Sequence, residues 1–210
     1  MLKKDTLEVC NSIVNEIEKL QDEYDGINNK YFKNIDNEVR IDIAKIEFKN
    51  CYFENIKLLE SNLINCEFSN CIFKNCDLSG SNFTESIFSN SIIESSKIEG
   101  CIFVEARFIS VDIKETIGRF SNFSNSKLRN VNIIECNFIS SYFQNDEFSK
   151  VEFSKCNLES VNFCDTSLNK IDFRDSNIDG CLFKFGDLRG MIVSTLQAVE
   201  ISKMLGIKIM

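Results

Sequence analysis

The chain has no histidine, no tryptophan and no proline among its 210 residues. Without histidine there are no Ser–His or Cys–His nucleophile pairs and no imidazole metal ligands, which removes the commonest catalytic toolkits. The expectation is a non-enzyme with no cofactor and no metal site. A basic excess is missing too: 24 Lys and Arg stand against 32 Asp and Glu, a formal net charge of −8. That balance argues against direct nucleic-acid binding through a basic patch. An acidic chain can instead compete for something that binds nucleic acid. No run approaches the roughly 18 apolar residues of a membrane span. The start, "MLKKDTLEVCNSIVNEIEKL", is interrupted by Glu and Asn where a signal peptide needs an apolar stretch. The expected compartment is the cytoplasm, where the ten cysteines stay reduced.

What the sequence does have is a period of five. Stepping by five from Ile43 to Val193 gives 31 positions, and only Gly118 is not a large apolar residue. Sixteen of the 19 Phe lie in this column. Two residues earlier runs a column of mostly small or β-branched side chains, Cys51, Ser61, Cys66, Cys71 and Cys76 among them, which holds eight of the ten Cys. Residues two apart in an extended chain point the same way, so each unit sends one small and one large side chain inward. The second residue after each large one is Asn nine times and Gly four times, types that tolerate the positive φ of a tight corner. A period of five fits neither a helix nor a flat strand. It fits a short extended stretch followed by a corner, repeated.

On these columns, residues 41–193 resemble the pentapeptide repeat family. The resemblance implies an all-β solenoid, a right-handed quadrilateral β-helix with 20 residues per coil. Thirty-one units then make about eight coils, a rod roughly 37 Å long at ~4.8 Å per coil. Sorting by 20 supports this: the ladder Ile43, Leu63, Phe83, Phe103, Phe123, Phe143, Phe163, Phe183 has six Phe in succession, whereas Leu58, Leu78, Ile98, Gly118, Phe138, Leu158, Ile178 holds one. The expected organisation is a lead-in with an amphipathic helix in 1–40, the β-helix in 41–193, and a C-terminal helix and dimerisation tail in 194–210. In the lead-in, Leu7, Cys10, Ile13, Val14, Ile17, Leu20 and Tyr24 fall on one face of a helix over 5–24, with a capping-box-like start at Asp5 and Glu8. Such a helix either caps the open end of the solenoid or mediates assembly.

The C-terminus resembles that of quinolone-resistance (Qnr-type) members in Leu188, Arg189, Gly190, Gln197, Ala198, Leu205, Gly206 and Ile207. That resemblance implies a two-fold homodimer through the final helix and last coil. The candidate interface is Leu182, Phe185, Ile192, Leu196, Val199, Leu205 and Ile207; the alternative is a helix folded over its own last coil. The resemblance also implies a DNA mimic that binds a type II topoisomerase, DNA gyrase, and modulates it or confers quinolone resistance. The register carries no insertion between 43 and 193 where many Qnr-type proteins have loops. The other class that fits is a protein-interaction scaffold with a non-topoisomerase partner.

Outside the core, Glu54, Glu94, Asp112, Glu115, Glu135, Glu152, Asp172 and Asp175 share one side of the rod and form the candidate acidic face. Another side carries a small basic excess, including Arg107, Lys127, Arg129 and Lys150. Tyr52, Ile72 and Ile92, spaced by 20, form an apolar stripe suited to docking the N-terminal helix or a partner. Asp146 in the inner column and Gly118 mark expected irregular coils, with Asp146 paired to a backbone donor or capping a distortion. Five-residue spacing puts successive thiols on successive sides, so they cannot converge on one metal. Their nearest approaches are expected between coils, Cys51 with Cys71 and Cys136 with Cys156.

Overall fold

The computed structural model describes residues 2–20, 26–36, 40–204 and 206–208, and its five-residue units wind into a β-solenoid of about seven turns. At every fifth position from Lys45 to Lys170 the corner residue has φ between +49° and +71°. Asn and Gly at many of these positions adopt that left-handed conformation at low cost. Coils stack in parallel with a 20-residue register: Phe88 lies against Phe68 and Phe108, and Ile93 against Phe73 and Ile113. Two adjacent sides carry strands, the longest being Arg107–Lys114, Lys127–Ile134 and Glu147–Ser154. The other two are joined largely by isolated bridges such as Asn82 to Ile102 and Ile102 to Asn122.

Inside, Phe rings stack from coil to coil, with centroids 4.7 Å apart for Phe103 and Phe123 and 4.6 Å for Phe123 and Phe143. Each buried Phe contributes about 2–3 kcal/mol of transfer free energy. The small column has a second job. Ser81, Ser86 and Ser126 donate their hydroxyls to the carbonyls of Leu58, Leu63 and Phe103 at 2.6, 2.8 and 2.6 Å. The Cys71, Cys101, Cys156 and Cys181 thiols take the same place, 2.9–3.2 Å from the carbonyls of Phe48, Leu78, Ile133 and Leu158. Serine and cysteine are therefore small enough for the corner and supply a donor for a carbonyl that would otherwise be buried with less hydrogen bonding.

The lead-in differs from the single helix expected over 5–24. Its described part holds a 3-10 turn Lys4–Thr6, a strand Glu8–Cys10 and a short helix Ile13–Glu18. Tyr24 lies outside the described residues. The strand pairs with Lys30–Lys33, which pairs with Tyr52–Glu54, so backbone ladder bonds at the end of the solenoid outweigh the helical pattern. The helix N-cap is Ser12, whose hydroxyl accepts from Asn15, not Asp5. Ile13 is buried, with Val14, Ile17 and Leu20 packed on the end of the core. The repeat architecture also begins earlier than its sequence signal. Phe32 pairs with Phe53 and Ile27 with Phe48, at a step of 21, and the step is 20 again at Asp42 and Asn62. One extra residue between Asp36 and Ile41 hides this coil from a strict count of five.

At the other end, Phe185–Leu188 forms a 3-10 turn and Thr195–Met204 the final helix. Gln197 ties that helix down. Its amide nitrogen donates to the carbonyls of Phe173 and Ser176 at 2.8 and 2.9 Å, and its oxygen accepts from Ser194 N–H at 2.8 Å.

The coil at Gly118 is not kinked: Gly118 N–H donates to Asn137 O at 2.7 Å, and bridges run unbroken from Lys97 through Ile117 to Asn137. The ladder breaks farther on. The regular junctions carry three kinds of backbone bond, as Asn162 to Ser141, Phe143 to Asn162 and Asn145 to Cys164. Strand Glu147–Ser154 pairs with Lys127–Ile134 behind it but with nothing ahead. None of the N–H groups of Phe148, Lys150, Phe153, Lys155, Ser167 and Asp172 finds a backbone acceptor across that junction. The coil ahead is built differently on these sides: Ile171 and Ser176 N–H close turns onto Leu168 and Phe173 at 3.0 Å, and Asp175 is the first corner residue without positive φ. Extended units face turned units, and their backbones do not match.

Candidate interaction surfaces

Among the described residues no group of three or more His, Cys, Asp or Glu is placed to hold a metal ion, and no helix is long and apolar enough to cross a membrane. All ten cysteines are free thiols, nine of them buried and Cys164 half-buried. Burial pushes the Cys76, Cys101 and Cys181 thiols up to about 12, so they stay protonated and unreactive. Cys136 and Cys156 form one neighbouring pair and Cys51 and Cys71 the other.

The apolar stripe is covered by the chain's own N-terminus. Tyr52 and Ile72 are buried with Tyr31, and Leu2, Leu7 and half-buried Ile92 pack against them. The cover is the turn Lys4–Thr6 with its flanking leucines rather than the helix. Tyr31 joins the stripe through the shifted register, its ring 5.4 Å from that of Tyr52. Lys4 Nζ sits 5.8 Å from both ring centroids, a cation–π arrangement. Tyr31 donates its hydroxyl to Glu54. That bond, with Lys4 beside it, holds the Glu54 carboxyl below the usual range, while burial and then Glu54 push Tyr31 up to about 12. Leu2, Lys4 and Tyr31 have no repeat signal of their own.

The acidic face is mostly neutralised from within. Glu54 pairs with Lys4, Glu94 with Lys74, Asp112 with Lys114, Glu135 with Lys155 and Asp172 with Arg174, at 3.4, 3.4, 2.7, 3.0 and 2.7 Å. Glu115 accepts the hydroxyl of Ser95 at 3.0 Å, and Asp175 those of Ser154 and Ser176 at 2.9 and 3.4 Å. Those two and Glu152 have no cationic partner among the described residues.

Exposed apolar side chains recur at the C-terminal end. Leu182 is 51%, Phe185 79%, Ile192 41%, Leu196 81% and Ile207 54% exposed. Val199 is half-buried, and Leu205 lies outside the described residues.

The sequence matches the model of a pentapeptide repeat region over residues 39–100, 66–137 and 121–193. No curated protein matches it. Similar solved structures include trypsin-treated QnrB1, a plasmid-mediated fluoroquinolone resistance protein, at 16% identity and a TM-score of 0.39, covering 88% of this chain and 98% of that one. A pentapeptide repeat protein from the Arabidopsis thaliana thylakoid lumen is 21% identical with a TM-score of 0.32, over 45% of this chain and 63% of its own. HetL of Nostoc, involved in regulating heterocyst differentiation, is 16% identical with a TM-score of 0.24, over 75% and 91%.

Proposed function

This chain belongs to the pentapeptide repeat family, and from that membership we propose that it is a non-enzymatic protein-binding rod that works as a homodimer joined at its C-terminal ends. The supporting observation is that Leu182, Phe185, Ile192 and Leu196, all in the last coil and the final helix, are 41–81% exposed. Exposed apolar side chains concentrated at one end of a rod call for a cover. A two-fold pairing of like ends covers them with a surface of the same chemistry. Gln197 fixes the helix to the last coil by two backbone contacts, so Leu196 is presented on a rigid support. Light scattering at micromolar concentration tests this: a dimer supports the reading and a monomer rejects it.

A second reading, a DNA mimic that binds DNA gyrase, is favoured by Glu115, Glu152 and Asp175, which form no ion pair among the described residues. Magnitudes weigh against it. Duplex DNA of ~37 Å carries about 22 negative charges, whereas residues 41–193 hold 22 acids and 16 bases, a net of −6. The reading predicts that the protein alters gyrase supercoiling, with or without a fluoroquinolone, and that Glu115→Gln/Glu152→Gln/Asp175→Asn abolishes the effect. No effect from the wild type leaves a scaffold for another protein as the function.

A further inference from the structure

The broken ladder ahead of strand Glu147–Ser154 begins at an unusual residue. Asp146 stands in the inner small column at 5% exposure. Its Oδ1 accepts Ser126 N–H at 2.8 Å and its own N–H donates to Thr166 Oγ1 at 2.9 Å. Its Oδ2 is buried without any partner. The serine and cysteine members of the column donate a hydroxyl or thiol to a carbonyl; an ionised carboxyl has no proton to offer. No charged side chain compensates it. The charged neighbours along the same coil and the coils on either side, Lys127, Glu147 and Asp165, are directed outward, with Lys127 paired to Glu147 and Asp165 to Lys184. Ser126 and Thr166 are the polar groups that meet it, from the coil behind and the coil ahead.

The junction beside Asp146 is already loosened on two sides of the rod. Six ladder donors lack partners there, and an open cleft of about 580 Å³ lies between Val151–Ser154 on one lip and Lys170, Asp172, Arg174 and Asp175 on the other. Phe148 is only half-buried, whereas Phe68, Phe88 and Phe108 of the same ladder are 0–1% exposed. The Phe153 and Phe173 rings are 5.6 Å apart, against 4.5 Å for Phe53 and Phe73 in that ladder. The remaining two sides keep their bonds, Asn162 to Ser141 and Asn177 to Cys156 among them, and form a natural hinge.

We propose that this junction is a built-in opening seam of the solenoid and that Asp146 is its latch, closed while the carboxyl is neutral and opened when it ionises. A buried carboxylate with one oxygen unpartnered is far costlier than the neutral acid, and widening the seam lets water reach Oδ2. Burial pushes the Asp146 carboxyl up to about 8, which places the change at mildly alkaline pH. Opening tilts the C-terminal coils, and with them the exposed apolar end, relative to the rest of the rod.

The test places spin labels at Ser149→Cys and Ser167→Cys, exposed positions that flank the junction in the two facing coils, in a full-length chain carrying Cys164→Ser. Distances are measured by double electron–electron resonance at pH 6 and pH 9.5. The expected result is a mean distance longer by about 5 Å, one strand spacing, at the higher pH. Adding Asp146→Ser, or Asp146→Asn should the serine variant fail to fold, holds the pH 6 distance at both values. A distance in the parent labelled chain that does not change with pH, or one that changes equally in the Asp146 variants, overturns the proposal.

Discussion

A Cβ atom built on Gly118 would lie 2.3 Å from Cε1 and 2.7 Å from Cδ1 of Phe138, so these two residues share one volume in the core. Their ladder is otherwise Leu58, Leu78, Ile98, Leu158 and Ile178. The missing side chain of one coil is supplied by the oversized side chain of the next. Ser121 and Ser141 hydroxyls both reach Gly118 O, at 2.6 and 2.8 Å, which keeps the backbone there in register.

This pairing predicts strong non-additivity. Gly118→Ala overpacks the site and costs about 1–3 kcal/mol, and Phe138→Leu leaves a cavity costing a similar amount, about 1–3 kcal/mol. The double variant is expected to lose clearly less than the sum. Urea unfolding of the four proteins measures this, and simple additivity would contradict the shared volume.

Phe103 stacks between Phe83 and Phe123 at 5.2 and 4.7 Å, in edge contact with Phe88 and Phe108. Phe103→Asp places an unpaired carboxylate among four rings and is expected to unfold several coils, seen as lost far-ultraviolet circular dichroism and solubility. A soluble Phe103→Asp protein with the parent spectrum would sink the packing model.

These ladders are legible in the sequence because a core with one inward position per unit leaves its period in the residues. Where the period slips, legibility ends. Phe32 and Ile27 are core residues of the first coil, but one extra residue before Ile41 takes them out of step. Leu7, Cys10, Ile13 and Ile17 satisfy a helical spacing, yet Glu8–Cys10 is drawn into a strand by the open edge of Lys30–Lys33, a tertiary demand no local pattern records. The acidic face is visible as acids; its neutralisation is partly visible as cations 20 residues away, such as Lys74 for Glu94 and Lys155 for Glu135. Lys4 on Glu54 has no such spacing. The broken ladder after Glu147–Ser154 is marked in sequence only by Asp146, because a change of turn type leaves both apolar columns intact.

Asp146 sets a pH dependence whose sign is opposite to that of an ordinary paired carboxylate. Its folded value of about 8 lies above the ~3.9 of an unfolded Asp. The stability that its neutral form contributes is fully present below about pH 4 and is lost progressively as pH rises toward 8. Glu16 and Glu54, held low by Lys19 and Tyr31 respectively, act the other way and lose stability in acid. The difference between wild type and Asp146→Ser isolates the Asp146 contribution. Denaturant midpoints from pH 4 to 9 are expected to show the serine variant gaining on wild type throughout the rise; parallel curves would contradict a buried, unpartnered carboxyl.

The most direct measurement of the protein-binding rod is the solution mass by sedimentation equilibrium, for wild type and for Phe185→Glu/Leu196→Glu. These two side chains are 79% and 81% exposed in the single chain, so the double change leaves the fold intact. The account predicts twice the 24.1 kDa chain mass for wild type and the single-chain mass for the variant, with unchanged circular dichroism. A wild-type mass of 24.1 kDa at micromolar concentration, or a variant that stays paired, would contradict it.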